Sequence, residues 1–239
     1  MPNIKFRELD YRQDFETDIL EIADHFKVKR KYFFAFTALI HESSRWNSGN
    51  LEQGLNRWEI RFLRAGGIEK VVVMVREAFN KCTTTDKIKK LRGAIVEAIL
   101  IASHGGSGRL NDPTNYGWGA SVFIGSSPDA HQVGYECDDQ CGSFTGDTCG
   151  TRYTVDVGDW NGYHAKLYEC KAHPDSIKCK DVEFLRKLSN ELQSHRVSHE
   201  IFFVSIVDKE EIEIKLREYN APSFFKSCGR RELEAMIPA

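Results

Sequence analysis

Apolar residues recur along the first part of the chain at the spacing of an α-helix. Between Phe15 and Phe26 they lie four, three and four residues apart, so their side chains share one helix face. The same spacing recurs between Leu51 and Phe62. The two sets are Phe15, Ile19, Ile22 and Phe26, then Leu51, Leu55, Trp58 and Phe62. Residues 1–85 are therefore predicted to form a helical extension or adaptor.

The clearest helix follows Thr83-Thr84-Thr85-Asp86, a sequence typical of a helix N-cap. Its apolar stripe consists of Ile88, Leu91, Ile95, Ile99 and Ala102. The glycine-rich residues 104–108 are predicted to end it.

Beyond this helix the chain contains short apolar runs typical of β-strands. Predicted strands span residues 118–124, 153–157, 165–171 and 201–207, and predicted helices span residues 181–195 and 209–219. Asn161-Gly162 indicates a hairpin between the second and third strands. The order helix, three strands, helix, strand, helix predicts an α/β core at 86–239, with a Cys-rich insertion at 125–150.

Composition narrows the class of protein. The 239 residues are 41% hydrophobic, enough for a conventional core, and no apolar run approaches the roughly 20 residues needed to span a bilayer. Residues 1–6 lack the apolar stretch of a signal peptide, so we expect a cytoplasmic protein with no membrane partner. Lys and Arg total 33 against 35 Asp and Glu, so any contact with nucleic acid must use a local basic surface.

The strands of the predicted hairpin carry charged side chains that can meet at one edge of a sheet. Alternation directs Glu169 and Lys171 to one face and Cys170 to the other. Asp156 lies between two valines and faces away from them, so hairpin pairing can bring it beside Glu169. Two carboxylates can hold a hard cation such as Mg²⁺, or Mn²⁺ as the alternative ion, and a nearby lysine can position a metal-bound water. This set of groups supports phosphodiester hydrolysis.

These residues resemble the motifs of the PD-(D/E)xK nuclease superfamily, which includes many restriction and DNA-repair endonucleases. Asp156 resembles the acid of the family's second strand, and Glu169-Cys170-Lys171, thirteen residues later, resembles the E-x-K of its third. The segment Gly93-Ala94-Ile95-Val96-Glu97 resembles the G-x-x-x-E of its first helix. The predicted order of elements from residue 86 to about 219 is also similar to the family's core.

The resemblance implies a restriction-endonuclease-like core and a Mg²⁺-dependent endonuclease. Asp156, Glu169 and Glu97 would bind the metal, and Lys171 would complete the catalytic set. The expected substrate is nucleic acid, with DNA preferred over RNA and a 5′-phosphate left by cleavage, in a restriction or antiphage context. The helices before residue 86 could bind a protein partner, and small nucleases often act as homodimers.

Several alternatives are open at this stage. Asp159 competes with Asp156, because a β-bulge would exchange their faces. Glu97 lies outside the apolar stripe of its helix and could be an exposed residue. A second E-x-K, Glu213-Ile214-Lys215, falls in a predicted helix and is interpreted as a solvated face, and the literal Pro128-Asp129 pair lies in a loop.

The seven cysteines give a second candidate site. An odd number in a chain without a predicted leader argues against a disulfide framework. His131, Cys137, Cys141 and Cys149 follow the pattern H-x5-C-x3-C-x7-C, whose residue types suit Zn²⁺, although thiols without a metal are commoner. The competing hypothesis is a catalytically inactive, nuclease-like scaffold that binds a protein or nucleic acid and carries a zinc-stabilised Cys-rich loop.

Overall fold

The computed structural model describes residues 4–8, 14–125, 130–137 and 150–237. These residues form two compact units. The sheet unit contains strand β1 (Ile4–Glu8) and the described part of residues 110–228, and the helical unit contains residues 14–109 and 229–237. The α/β class is confirmed, and no helix within the described ranges is long and apolar enough to cross a membrane.

A mixed open sheet runs through the sheet unit. Its further strands are β2 (Tyr116–Ile124), β3 (His131–Gln132), β4 (Thr154–Trp160), β5 (His164–Cys170), β6 (Ser198–Val204) and β7 (Lys226–Cys228). The strands are hydrogen-bonded in the order β1-β2-β4-β5-β6-β7, and β3 pairs with β2. Pairs among β1 to β5 are antiparallel, whereas β6 is parallel to both β5 and β7.

Most of the helices belong to the helical unit. They are α1 (Glu16–Phe26), α2 (Phe33–Glu42), α3 (Leu51–Arg64), α4 (Glu69–Asn80), α5 (Thr85–Ser103) and α8 (Arg230–Met236). Thr84 Oγ1 accepts the N–H of Lys87 at 3.2 Å, which confirms the predicted N-cap of α5. Phe26 lies at the centre of the apolar core, with its ring 4.5 Å from that of Phe36 between centroids.

Two helices of the sheet unit join its parallel strands, as parallel pairing requires. Helix α6 (Cys179–Ser194) joins β5 to β6, and α7 (Lys209–Glu218) joins β6 to β7. The predicted apolar face of α6 is fully buried and consists of Val182, Leu185, Leu188 and Leu192. These side chains share one core with the strands, so α6 is fixed against the sheet.

Strand β4 is longer than the sequence predicts. The predicted strand ends before Gly158, because this glycine and the following Asn161-Gly162 together indicate a turn, whereas β4 continues to Trp160. Gly158 lies opposite Gly117 on β2, and a Cβ at this position would overlap the ring of Phe6. The glycine therefore permits close packing within the sheet.

The expectation that residues 1–85 are all helical is wrong for Ile4–Glu8, which forms β1. This segment alternates buried Ile4 and Phe6 with the less buried Lys5 and Arg7, as an edge strand does. In addition, α5 groups with the helices that precede it, and β7 and α8 follow the last predicted helix.

Candidate active site

Glu169 on strand β5 and Lys171, the residue that follows this strand, form a direct ion pair. Lys171 Nζ lies 2.5 Å from Glu169 Oε1, as their alternation along the chain predicts. The Glu169 side chain is fully buried, and that of Lys171 is 17% exposed. The backbone N–H of Lys171 donates to Val204 O at 2.8 Å, so its backbone is fixed by β6.

Strand β4 brings Asp156 to the same place. The antiparallel ladder pairs Val157 with Tyr168, and Asp156 and Glu169 are the next residues on each strand. Asp156 Oδ2 accepts the backbone N–H of Cys170 at 2.7 Å and the residue is 6% exposed. The predicted approach of Asp156 to the E-x-K strand is therefore present in the structure.

The ladder also separates Asp156 from its predicted competitor. The pairing of β4 with β2 keeps one register from Thr154 to Asp159, without a bulge. Asp156 and Asp159 are three residues apart, so they face opposite sides of the sheet. Asp159 is paired in register with Lys166, and Asp156 is the residue that joins the cluster.

Two residues that the sequence analysis missed complete this cluster. Arg152 Nη2 donates to Asp156 Oδ1 at 3.1 Å and to Glu169 Oε2 at 2.6 Å, while its Nη1 donates to Asp181 Oδ1 at 2.8 Å. Asp181 lies in the first turn of α6 and also approaches Lys171, with its Oδ2 3.3 Å from Nζ. Among the residues that the structure describes, the cluster thus contains three carboxylates and two cations.

Both additional residues have a signal in the sequence. Arg152 precedes Asp156 by four residues in an extended segment, a separation that directs both side chains to one face. Asp181 Oδ2 accepts the N–H of Lys178 at 2.8 Å, which is the bond of an acid three residues into a helix. Because α6 begins soon after β5 ends, this helix-start acid comes near the end of that strand.

Burial and mutual charge set the ionisation of the cluster. Burial raises the pKa of Glu169 to about 8, Arg152 and Lys171 lower it, and Asp156 and Asp181 raise it further. Burial also acts to lower the pKa values of Lys171 and Arg152, but the neighbouring carboxylates outweigh it and raise both, so these two side chains stay charged. With every group ionised, three negative and two positive charges leave one negative charge in excess.

The donor set fits a hard divalent cation. Three carboxylates, from Asp156, Glu169 and Asp181, converge on one guanidinium, so their oxygens already surround a single positive group. Within the described part of the chain, Glu169 Oε1 is buried and accepts no hydrogen bond, and its contact is the ion pair with Lys171. Oxygen ligands with excess negative charge are those that Mg²⁺ prefers.

The other predicted residues lie on other elements or outside the described ranges. Glu97 is on α5 in the helical unit and is 2% exposed, so the alternative that it is an exposed helix residue is wrong. Lys215 of the second E-x-K lies on α7 and pairs with Glu218 at 2.6 Å, while Glu213 is exposed. Asp129, with the Pro that precedes it, lies outside the described residues.

Only part of the predicted zinc pattern falls on described residues. Cys141 and Cys149 lie outside them, Cys137 is partly buried, and His131 lies on β3. Cys170 is buried on the face of β5 opposite Glu169, as the alternation predicts.

Comparison of the chain with protein-family models, with curated proteins and with solved structures gave no match. The residues and their geometry therefore carry the functional argument.

Proposed function

We propose that this protein is a metal-dependent nuclease of the PD-(D/E)xK type, with DNA as its substrate. The observation that carries the proposal is the convergence of Asp156, Glu169 and Lys171 at one end of β4 and β5, with Asp181 beside them. Two or three carboxylates next to one lysine is the set of groups that metal-assisted phosphodiester hydrolysis uses.

The residues take distinct roles in this proposal. Asp156 and Glu169 hold Mg²⁺ or Mn²⁺, and Asp181 adds a third carboxylate. A bound ion would polarise a phosphoryl oxygen and lower the pKa of a coordinated water. Lys171 keeps its proton, because Glu169 and Asp181 lie against it, and it would position that water or offset negative charge on the phosphorus centre.

Arg152 gives the site a feature that the family resemblance does not imply. It lies between the carboxylates as the cation that compensates them in the metal-free protein. A second cation that used the same oxygens would compete with its guanidinium. Arg152 therefore tunes the affinity of the site for metal.

The topology supports a restriction-endonuclease-like core as part of the same proposal. Strands β2, β4 and β5 are neighbours in an antiparallel arrangement, and α6 then leads to β6, which is parallel to β5. This is the strand, strand, strand, helix, strand part of the order on which the resemblance is based. Strands β1, β3 and β7 are additions to it.

One observation favours the second candidate, a nuclease-like scaffold without activity. Arg152 and Lys171 between them contact all three carboxylates, so the cluster is already paired within the chain. In such a scaffold the cluster would only hold β4, β5 and α6 together.

A cleavage assay separates the two candidates. End-labelled single- and double-stranded DNA and RNA would be incubated with the full chain in Mg²⁺, Mn²⁺ or EDTA. We expect metal-dependent cutting of DNA that is lost in Lys171→Met and Asp156→Asn. The matched control is Lys215→Met, which alters the second E-x-K on α7 and should cut like wild type.

Folding of each variant would be checked by circular dichroism, because Lys171 is part of a buried ion pair. Cutting of RNA alone would replace the substrate in the proposal. Absence of cutting on all four substrates by a folded wild-type protein, together with absence of Mg²⁺ binding, would favour the scaffold.

A further inference from the structure

A second group of potential metal ligands lies at the other end of α6. His131 on β3 and Glu191 and His195 at the end of α6 have their ligand atoms within 4.8 Å of one another. His131 Nε2 is 3.6 Å from Glu191 Oε2, and the rings of His131 and His195 are 5.9 Å apart between centroids. Two imidazoles and one carboxylate thus converge on one position at the surface.

The backbone positions of these residues are fixed by regular structure. His131 is paired with Ile124 of β2, and two residues later the N–H of Val133 donates to Val122 O at 3.0 Å. The N–H of His195 donates to Glu191 O at 3.1 Å, so these two residues are one helical turn apart on one face. Val133 and the apolar face of α6 are buried in the same core, which holds β3 and the helix end together.

The chemistry of the three side chains selects a transition metal. We propose that His131, Glu191 and His195 bind a Zn²⁺ ion, which accepts imidazole nitrogen and carboxylate oxygen at about 2.0–2.2 Å. Ligand atoms of a tetrahedral zinc site lie about 3.3 Å apart, so the observed separations need to close by about 0.3–1.5 Å. Side chains that are half exposed, such as His131, can make this change by rotation.

A surface ion pair would explain less of the arrangement. His131 and Glu191 alone would form an ordinary pair, but the second imidazole of His195 adds nothing to that attraction. Zinc accounts for all three groups, and solvent would supply the fourth ligand. The ion would tie β3, which lies within the Cys-rich insertion, to α6.

This site is separate from the proposed nuclease site. Asp181 and Glu191 are ten residues apart on one helix, which places them about 15 Å apart along its axis. Mg²⁺ prefers oxygen ligands, whereas the imidazole pair favours Zn²⁺. The zinc proposal therefore holds whether or not the protein cleaves nucleic acid.

Isothermal titration of the metal-stripped full chain with Zn²⁺, in excess Mg²⁺, tests the proposal. We expect one zinc per chain, with affinity reduced at least tenfold in His131→Gln and in His195→Gln. The matched control is His41→Gln, which alters an exposed histidine of the helical unit and should bind zinc like wild type. Neither site histidine is buried in the core, so their variants should fold.

Two results would overturn the proposal. One is that the wild-type chain binds no zinc, or that both histidine variants bind zinc as tightly as the wild type does. The other is zinc binding that is lost in Cys137→Ser but retained in the histidine variants, which would assign the ion to the Cys-rich segment. Titration with Co²⁺ gives an independent readout, because thiolate ligands produce sulfur-to-metal charge-transfer absorption and the histidine site would not.

Discussion

Removal of the Arg152 side chain tests whether its ion pairs stabilise the sheet unit. The guanidinium contacts three buried carboxylates, and the Arg152 side chain is 15% exposed. Removing one partner of a buried ion pair costs about 3–5 kcal/mol, because the remaining charge is left buried without compensation. In metal-free buffer we expect Arg152→Met, which keeps much of the aliphatic stem, to lower the free energy of unfolding by this amount.

Arg61→Met is the matched control for this prediction. Arg61 pairs with Glu42 at 2.9 Å, but its side chain is 69% exposed. Exposed ion pairs contribute about 0–1 kcal/mol, so the control should differ little from wild type. Urea denaturation in EDTA, followed by circular dichroism, gives both values. A loss in Arg152→Met no larger than that in Arg61→Met would refute the reasoning.

The loss of stability in Arg152→Met should also depend on pH. Burial raises the pKa of Glu169 from 4.5 to about 8, with Arg152 opposing the shift. Between these values the folded protein binds more protons than the unfolded chain, so the Glu169 contribution to stability falls as pH rises. A protonated Glu169 limits the uncompensated charge in Arg152→Met, so the defect should be larger at about pH 9 than at about pH 6. An equal loss of stability at both pH values would contradict this account.

Three further predictions concern other parts of the molecule. Gly158→Ala should destabilise the protein by about 1–3 kcal/mol, because the added methyl group would overlap the ring of Phe6. Gly93→Ala, in the interior of α5 with open space around it, should instead stabilise the protein by about 0.4–1 kcal/mol. Urea denaturation measures both changes. Burial lowers the pKa of His25, so the folded protein resists its protonation. The stability lost as pH falls through about 6.5 should therefore be smaller in His25→Asn than in wild type. Burial raises the pKa of Cys82 to about 11, so this thiol should react slowly with a labelling reagent in the folded protein at about pH 8. Cys82→Ser should therefore remove one slowly labelled thiol and leave the rapid phase of labelling unchanged.

Periodicity predicted the elements whose apolar positions face one core. Helices α5 and α6 and strands β2 and β5 occur close to their predicted bounds, because burial enforces the periods of helix and strand, whereas β6 begins and ends three residues before its predicted bounds. The sequence rules were wrong where one residue type has two uses, as at Gly158, which serves packing rather than a turn. They were also wrong for β1, because its five residues are too few to show a clear alternation of apolar and polar positions before a long helical region.

The candidate site could be predicted in part for a related reason. Alternation along two strands brings Asp156, Glu169 and Lys171 together, and this requires only a hairpin. Arg152, which forms an isolated β-bridge before β4, and Asp181, in the first turn of α6, contact the same cluster. The spacing of Arg152 and the helix-start position of Asp181 are signals in the sequence, but only tertiary packing brings the two side chains to the cluster.

The third carboxylate bears on the choice between a nuclease and a scaffold. Asp181 serves as the acceptor for the N–H of Lys178, but an uncharged amide could accept that bond equally well. Its charge gives the cluster a third negative group against two cations, and below the pKa of Glu169, about 8, this excess is removed only by a proton held on that buried acid. A structural cluster gains nothing from an excess buried charge, which costs free energy. A divalent cation together with Lys171 would balance three carboxylates, so the excess acid favours a metal site.

Asp181→Asn converts this argument into a measurement. In EDTA the variant should be as stable as wild type or more stable, because its cluster has two negative and two positive charges and the helix bond to Lys178 is kept. In Mg²⁺ the wild type should gain stability from binding, by about 2.7 kcal/mol at a concentration 100 times its dissociation constant, and the variant should gain much less. A variant that is destabilised by about 3 kcal/mol in EDTA, with a wild type that is indifferent to Mg²⁺, would instead identify Asp181 as a structural partner of Arg152 and the cluster as a scaffold element.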